Sequence, residues 1–405
     1  MLRIRDFRRL LLSRFFITLG LQLQSVVIGW QIFRMTADPL ALGLVGLAEA
    51  LPYMACLLWA GHQTDRQEKR TLILFAEGGL VSCAGIFAML TWVGLESPWP
   101  LYVVIGLTGL CRSLLWPSSA AYVEITVPKA IYSRAASWNS TLWQVGAIVG
   151  PLVGGWMYAA FDAVRAYLGA AVFLAIGLWH AARLRPLPPS PTQRDESGWE
   201  SLLGGIRFVF SKQTILAALT LDMFAVLFGG AVALLPIFAE RFQVGPVGLG
   251  VLRAALPGGA LLMALYQAYA PPFRETGRAM LMGIACFGVC MALFAISPWF
   301  WLSGLWLGLA GAADNISVVV RASILQAMTP DHLRGRVSSV NGFFISSSNE
   351  IGAFESGVAA KLLGVIPSVV VGGVLTVITV LVTAWRAPAL RRLQLRPDGH
   401  APTTV

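Results

Sequence analysis

Ionisable side chains standing inside long apolar runs are the residues of this sequence that can do chemistry. Arg14, Arg112, Arg253 and Arg321 each sit among hydrophobic neighbours, and so do Glu49, Glu77, Asp222, Asp314, Glu350 and Glu355. A charge in hydrocarbon costs on the order of 2.5–3.5 kcal/mol on insertion scales, so such residues pair with an opposite charge, line a wet cavity or carry a proton. Two combinations stand out. Arg112 and Asp314 are 202 residues apart, each three residues after a glycine (Gly109 and Gly311), and Arg14 and Asp222 occupy comparable places in their own runs. We expect Arg112 and Asp314 to form a site for substrate or proton coupling and Arg14 and Asp222 to form a gate. Static pairing that only satisfies charge is the competing reading. Glu49 and Glu350 are further coupling candidates. Glu77 lies near the end of its run, where solvation or pairing with the Arg66–Arg70 cluster would satisfy it.

Other polar residues follow helical spacing. Arg14, Thr18, Gln22, Ser25 and Gly29 form one stripe, Asp314, Ser317 and Arg321 a second, and Asn341, Ser348 and Glu355 a third, with Asn349 and Glu350 beside it. Gln22, Ser25, Asn315, Ser317, Arg321 and Asn349 are therefore candidates for touching a bound molecule. Trp30, Trp116 and Trp143 offer flat faces to an aromatic or cationic one. With fourteen tryptophans in the chain, packing and interface anchoring account for most of them, Trp99, Trp299 and Trp301 in particular. The four histidines are scattered and the five cysteines lack zinc-site spacing, Cys286 and Cys290 reading as packing on one helix face. No metal or cofactor is expected. There is no G-x-x-x-x-G-K-[ST] loop for ATP and no nucleophile–base constellation, so an enzyme is not expected either.

These residues must be positioned by membrane-spanning helices. Mean hydropathy is +0.70, with 57% hydrophobic and only 12% charged residues. A spanning helix needs about 20 mostly apolar residues. The chain offers twelve such segments: 11–34, 40–60, 72–94, 99–124, 137–160, 163–183, 214–238, 246–269, 279–297, 299–327, 337–363 and 366–386. Forty-one glycines let such helices approach closely in lipid. The N-terminus "MLRIRDFRRLLLSRFF" runs straight into the first span, so no cleavable signal peptide is expected. One long polar interruption, "LRPLPPSPTQRDESGWE" at 184–200, divides six spans from six, and "WESLLGGIRFVFSK" after it reads as a short amphipathic helix on the membrane surface. The expected organisation is a six-helix bundle over 1–183, a cytoplasmic linker over 184–212, a second bundle over 213–386 and a tail over 387–405.

A net charge of +10 raises the possibility of a nucleic-acid partner, but its distribution excludes one. With the N-terminus inside, 22 of the 30 Lys and Arg fall on the cytoplasmic side. Four fall outside (Arg34, Arg165, Arg241 and Lys361), and four fall within spans. That bias places both termini in the cytoplasm and adds attraction to anionic lipid. The halves also repeat at an offset of 202: Gly106 with Gly308, Gly109 with Gly311, Pro128 with Pro330, Arg134 with Arg336, Ser137 with Ser339, Asn139 with Asn341, Gly150 with Gly352 and Gly155 with Gly357. Twelve spans in two parallel halves is a secondary-transporter layout.

Two motifs fit that layout. "GHQTDRQEKR" (Gly61, Asp65, Arg66, Lys69, Arg70) falls between spans 2 and 3, and "GAIVGPLVGG" (Gly146, Gly150, Pro151, Gly154, Gly155) falls in span 5. They resemble, respectively, the loop signature of the major facilitator superfamily and the G-x-x-x-G-P-x-x-G-G signature of its antiporter branches. "DFRRLLLSRF", "SLLGGIRFVF" and "TPDHLRGRVSSVNGF" are similar to the drug–proton antiporter group that includes the enterobactin-exporter branch. The resemblance covers nearly the whole chain. It implies an all-α integral-membrane fold of twelve transmembrane helices in two pseudo-symmetric six-helix bundles, with spans 1, 4, 7 and 10 around a central cavity. It further implies alternating access and export of a small amphipathic molecule, a drug or siderophore, against protons. A monomer in the bacterial inner membrane is expected, its partners being substrate, protons and lipid. It also implies that Asp65 latches against the start of span 11, near Ser338–Asn341, the competing reading being a positive-inside loop that only sets orientation. Gly61, free of a Cβ, can end span 2 and let loop and helix pack tightly. A lipid or lysophospholipid carrier, a metal-ion carrier of the same fold, and a non-transporting membrane sensor or scaffold are the alternatives.

Overall fold

In the computed structural model, residues 4–128, 131–187, 198–270, 273, 275–330 and 333–394 are described. Among them there is no strand. The helices are α1 (Arg5–Thr36), α2 (Pro39–Arg66), α3 (Lys69–Val93), α4 (Trp99–Thr126), α5 (Tyr132–Ala160), α6 (Ala163–Ala182), α7 (Gly198–Ser211), α8 (Gln213–Gly229), α9 (Leu235–Arg241), α10 (Gly245–Tyr269), α11 (Thr276–Ile296), α12 (Phe300–Met328), α13 (Arg334–Leu363), α14 (Val365–Arg386) and α15 (Pro388–Arg391). Helix is the only open-ended element that satisfies its own backbone in lipid, and the twelve expected spans are all helical. Ten helical segments are long and apolar enough to cross a membrane. The two long helices outside that set are α5 and α13, because their first halves carry Arg134, Ser137, Asn139, Ser140, Thr141 and Gln144, and Arg334, Arg336, Ser338 and Asn341.

Two elements depart from expectation. Span 7 is not one helix: α8 ends at Gly229, a 3-10 turn covers Ala231–Leu234, and α9 resumes at Leu235. Gly229, Gly230 and Pro236 explain the break, since proline removes a helix donor and crowds the preceding turn. Gly61 does not end span 2. A lone glycine costs a helix interior only about 1 kcal/mol relative to alanine, and α2 runs on to Arg66, leaving only Gln67 and Glu68 between it and α3. The charged stretch is therefore mostly helix. The amphipathic α7 forms as expected, and its apolar face packs on the core: Val209 is fully buried with Ile215 and Leu219 of α8 and Val337 and Val340 of α13.

Contacts divide the chain into two compact units, 1–198 with 235–254, and 199–234 with 255–405. In the first, Leu23, Val27 and Ile32 of α1 pack with Phe87 of α3, Leu101 and Ile105 of α4, and Tyr167 of α6. The Phe87 and Tyr167 rings stack at 5.2 Å, the Tyr167 hydroxyl donates to Gln31 Oε1 at 2.8 Å, and Gln31 Nε2 donates to Thr91 Oγ1 at 3.1 Å. Closed hydrogen-bond chains of this kind are what buried polar groups in lipid require. In the second unit, Leu219 and Leu221 of α8 pack with Met280 and Ile284 of α11, Val320 and Ile324 of α12, and Val380 of α14.

Candidate functional site in the spanning helices

The glycines of the repeat set how closely the charged helices approach. A Cβ built on Gly109 of α4 would lie 3.4 Å from Glu49 Cα of α2, and one on Gly311 of α12 would lie 3.0 Å from Leu256 Cα of α10. Three residues beyond Gly109, Arg112 Nη1 is ion-paired with the Glu49 carboxylate. Arg112 and Glu49 thus pair across the α2–α4 contact. On the other unit, Arg321 Nη1 of α12 is ion-paired with Asp222 Oδ2 of α8, and Ser317 Oγ donates to Asp222 Oδ1 at 3.0 Å. Asp222 is 5% exposed and Arg321 4%. Both pairs lie within one unit, whereas the expected Arg112–Asp314 and Arg14–Asp222 pairings would each join residues of the two units. Each cation finds its carboxylate on an adjacent helix of its own unit, because a buried charge gains most from the nearest opposite charge.

Asp314, half-buried on α12, has neither an ion pair nor a hydrogen bond among the described residues of its own unit. Asn315 beside it is buried with its Oδ1 unpaired. Glu350 is half-buried on α13, and Asn349 is exposed, with Nδ2 donating to Ile345 O at 2.8 Å.

The Arg14 guanidinium lies 4.8 Å from the centroid of the Trp116 ring, and Asn139 and Trp143 share that crevice. Trp30 is buried against Phe33 instead, at 6.1 Å. Glu77 is neither solvated nor paired with the Arg66–Arg70 cluster. It is fully buried on α3 and accepts from Ser13 Oγ at 2.5 Å.

The span-5 motif has two working faces. Gly146, Gly150 and Gly154 recur every four residues, and Cβ atoms there would meet Thr18 Cγ2 at 3.0 Å, Gln22 Cβ at 2.7 Å and Leu23 Cα at 3.1 Å, all on α1. Gly155, about 100° further round, turns to α10, where a Cβ would lie against the Pro246 carbonyl and 3.2 Å from Val247 Cα. Reciprocally, a Cβ on Gly250 of α10 would lie against the Pro151 carbonyl. Arg253 Nη1 closes the same contact by donating to Ser25 Oγ at 2.5 Å. Sequence reasoning placed Arg253 in a span but gave it no role. Its position in an apolar run was the signal.

The motif over Gly61–Arg70 acts on helix ends. Lys69, 3% exposed, donates from Nζ to the Thr64 carbonyl and to Gln67 O at 3.3 Å, capping α2. Arg70 Nη2 donates to Ala182 O at 2.8 Å, and Arg9 Nη1 to Arg183 O at 2.5 Å, at the end of α6. Cations are favoured where unpaired carbonyls gather. The Asp65 side chain lies outside the described residues.

The family profile of the Major Facilitator Superfamily matches residues 10–353. The enterobactin exporter EntS of Shigella boydii serotype 18 (strain CDC 3083-94 / BS512) is 27% identical over 338 residues, covering 82% of this chain and 80% of the relative. The same exporter from Escherichia coli O81 (strain ED1a) matches equally. Among solved structures, a POT family transporter in complex with 5-aminolevulinic acid aligns with TM-score 0.75 at 12% identity over 95% of this chain and 96% of its own. A bacterial homolog of the human lysosomal transporter Spinster aligns with TM-score 0.70 at 14% identity over 97% and 99%. The structural likenesses speak for the fold.

Proposed function

The chain belongs to the Major Facilitator Superfamily and is an integral-membrane transporter of small molecules, and from that premise we propose that it exports small amphipathic organic molecules, siderophores foremost, by alternating access in exchange for protons. Likeness to exporters named for enterobactin supports the siderophore class and the outward direction. The observation that carries the proton coupling is Asp314. Arg112 and Arg321 are each matched by a carboxylate next door, whereas Asp314 has no cation among the described residues of its own unit. A carboxylate without a counter-charge in a spanning helix is the group whose energy changes most on binding a proton. Asp314 can therefore convert a proton gradient into a preference between two conformations.

The remaining geometry supports gating and recognition. Arg14 over Trp116 offers a cation and a flat ring to a polyphenolic or anionic cargo. The contact of Gly155 and Ser25 with Pro246 and Arg253 lies at the end that the charge pattern places outside. It acts as the outer gate, parting when cargo leaves. Efflux of enterobactin and of cationic dyes from proteoliposomes under an imposed pH gradient tests this reading. The wild type should respond to the gradient, while Asp314→Asn should exchange cargo downhill without responding. Gradient-driven efflux by Asp314→Asn would remove Asp314 from the mechanism.

A further inference from the structure

An apolar groove of about 660 Å³ runs along the second unit, within α10, α11 and α12, and the gate and coupling residues have no part in it. Its wall on α11 is the stripe Met282, Cys286, Val289 and Leu293, faced by Met263 of α10 and Trp306 of α12. Met282 is 72% exposed, which for a residue in mid-helix means that it faces the hydrocarbon. One end of the groove carries the only charges of its lining among the described residues, Glu275 and Arg278. Their side chains pair at 2.6 Å and are each at least half exposed. An exposed pair of this kind contributes little stability, so both groups are available to another partner.

Length and charge together define that partner. From Arg278 to Leu293 is fifteen residues of helix, about 22 Å at a rise of 1.5 Å per residue. One leaflet measures about 20–22 Å with its headgroup region. The charged end lies at the first turn of α11, where a headgroup would sit. An anion and a cation side by side complement a headgroup that carries both: Arg278 suits a phosphate, and Glu275 suits an ammonium that can donate hydrogen bonds.

We propose that this groove binds one phosphatidylethanolamine molecule of the surrounding bilayer, its phosphate on Arg278, its ammonium on Glu275 and an acyl chain along Met282–Leu293. The groove is a lipid site separate from the transport machinery. It places the start of α11, and through α11 its neighbour α12 that carries Asp314, under the influence of membrane composition.

The test uses the full chain in nanodiscs of phosphatidylcholine alone or with phosphatidylethanolamine or phosphatidylglycerol added. Cys286 is an exposed free thiol inside the groove, so its labelling by N-ethylmaleimide, read by peptide mass spectrometry, reports occupancy. Native mass spectrometry after gentle extraction counts the retained lipid. Phosphatidylethanolamine should slow Cys286 labelling at least threefold relative to phosphatidylcholine and remain as a single adduct. Glu275→Gln should remove the preference over phosphatidylcholine, and Arg278→Gln should remove the adduct. Equal protection by all three lipids, a stronger effect of phosphatidylglycerol, or a preference that survives both substitutions would overturn the assignment. So would protection by a second copy of the chain, seen as a dimer mass. Circular dichroism of each variant guards against misfolding, and Glu275→Asp, which keeps the anion, should keep the preference.

Discussion

The buried pair Asp222–Arg321 offers the sharpest test of how the second unit is held together. Both residues are at most 5% exposed, and Ser317 completes the shell around the carboxylate. Asp222→Ala leaves the Arg321 guanidinium without its counter-ion in an apolar interior. Breaking a buried pair from one side costs about 3–5 kcal/mol, whereas replacing both members with apolar groups is often neutral or better. Arg321→Met should cost a similar amount by stranding Asp222. The double variant Asp222→Ala/Arg321→Met should lie within about 1–2 kcal/mol of wild type, because no charge is left buried. The implied coupling energy is then at least about 4 kcal/mol, outside the usual 0.5–3 kcal/mol for contacting residues. At roughly 2–4 °C per kcal/mol for units of this size, each single variant should unfold about 6–20 °C below wild type. Thermal unfolding in mild detergent, followed by tryptophan fluorescence, measures this directly. Single variants that lose less than about 1 kcal/mol, or a double variant equal to the sum of the singles, would refute the pair as a structural element of the unit.

Further outcomes follow from the same geometry. Gly155→Leu drives a side chain into the Pro246 carbonyl and Val247, so it should hold the outer contact open, speeding thiol labelling of a Ser25→Cys reporter severalfold without loss of expression; an unchanged rate would mean that the contact is not a gate. Lys69→Gln removes a charge-assisted cap from the end of α2 and should cost about 1.5–3 kcal/mol of unfolding free energy, read as a lowered midpoint in detergent; a midpoint equal to wild type would show the cap to be replaceable by water. Asp65→Ala should leave insertion and topology intact and reduce transport, since its neighbours Lys69 and Arg70 already hold the helix ends. Full transport by this variant would retire the latch.

Much of the fold was legible because lipid leaves a chain few choices. Every apolar run of about 20 residues had to become a helix, so ten spanning segments could be read off composition among the described residues, while α5 and α13 have polar first halves and most of the polar linker lies outside the described residues. The exceptions are instructive. "GHQTDRQEKR" looked like a loop because it is charged, yet α2 continues through Gly61 to Arg66, since charge at a membrane's edge is compatible with helix and nothing in the stretch stops one. Span 7 looked continuous because it is apolar, yet Gly229, Gly230 and Pro236 interrupt it.

Of the candidate site, residue identity was visible and partnership was not. Sequence alone determined that Arg14, Arg112, Asp222, Asp314 and Arg321 lie in spans, and the 202-residue repeat suggested which helices correspond. Only the tertiary structure decided that Arg112 belongs to Glu49 and Arg321 to Asp222, leaving Asp314 without a cation among the described residues of its own unit. It also decided that Gly146, Gly150 and Gly154 serve α1 while Gly155 serves α10. Hydropathy fixes how deep a side chain lies in the membrane. Which neighbour it meets depends on the rotation of each helix about its axis and on how closely the glycines let helices approach, and both are properties of packed pairs rather than of any one segment.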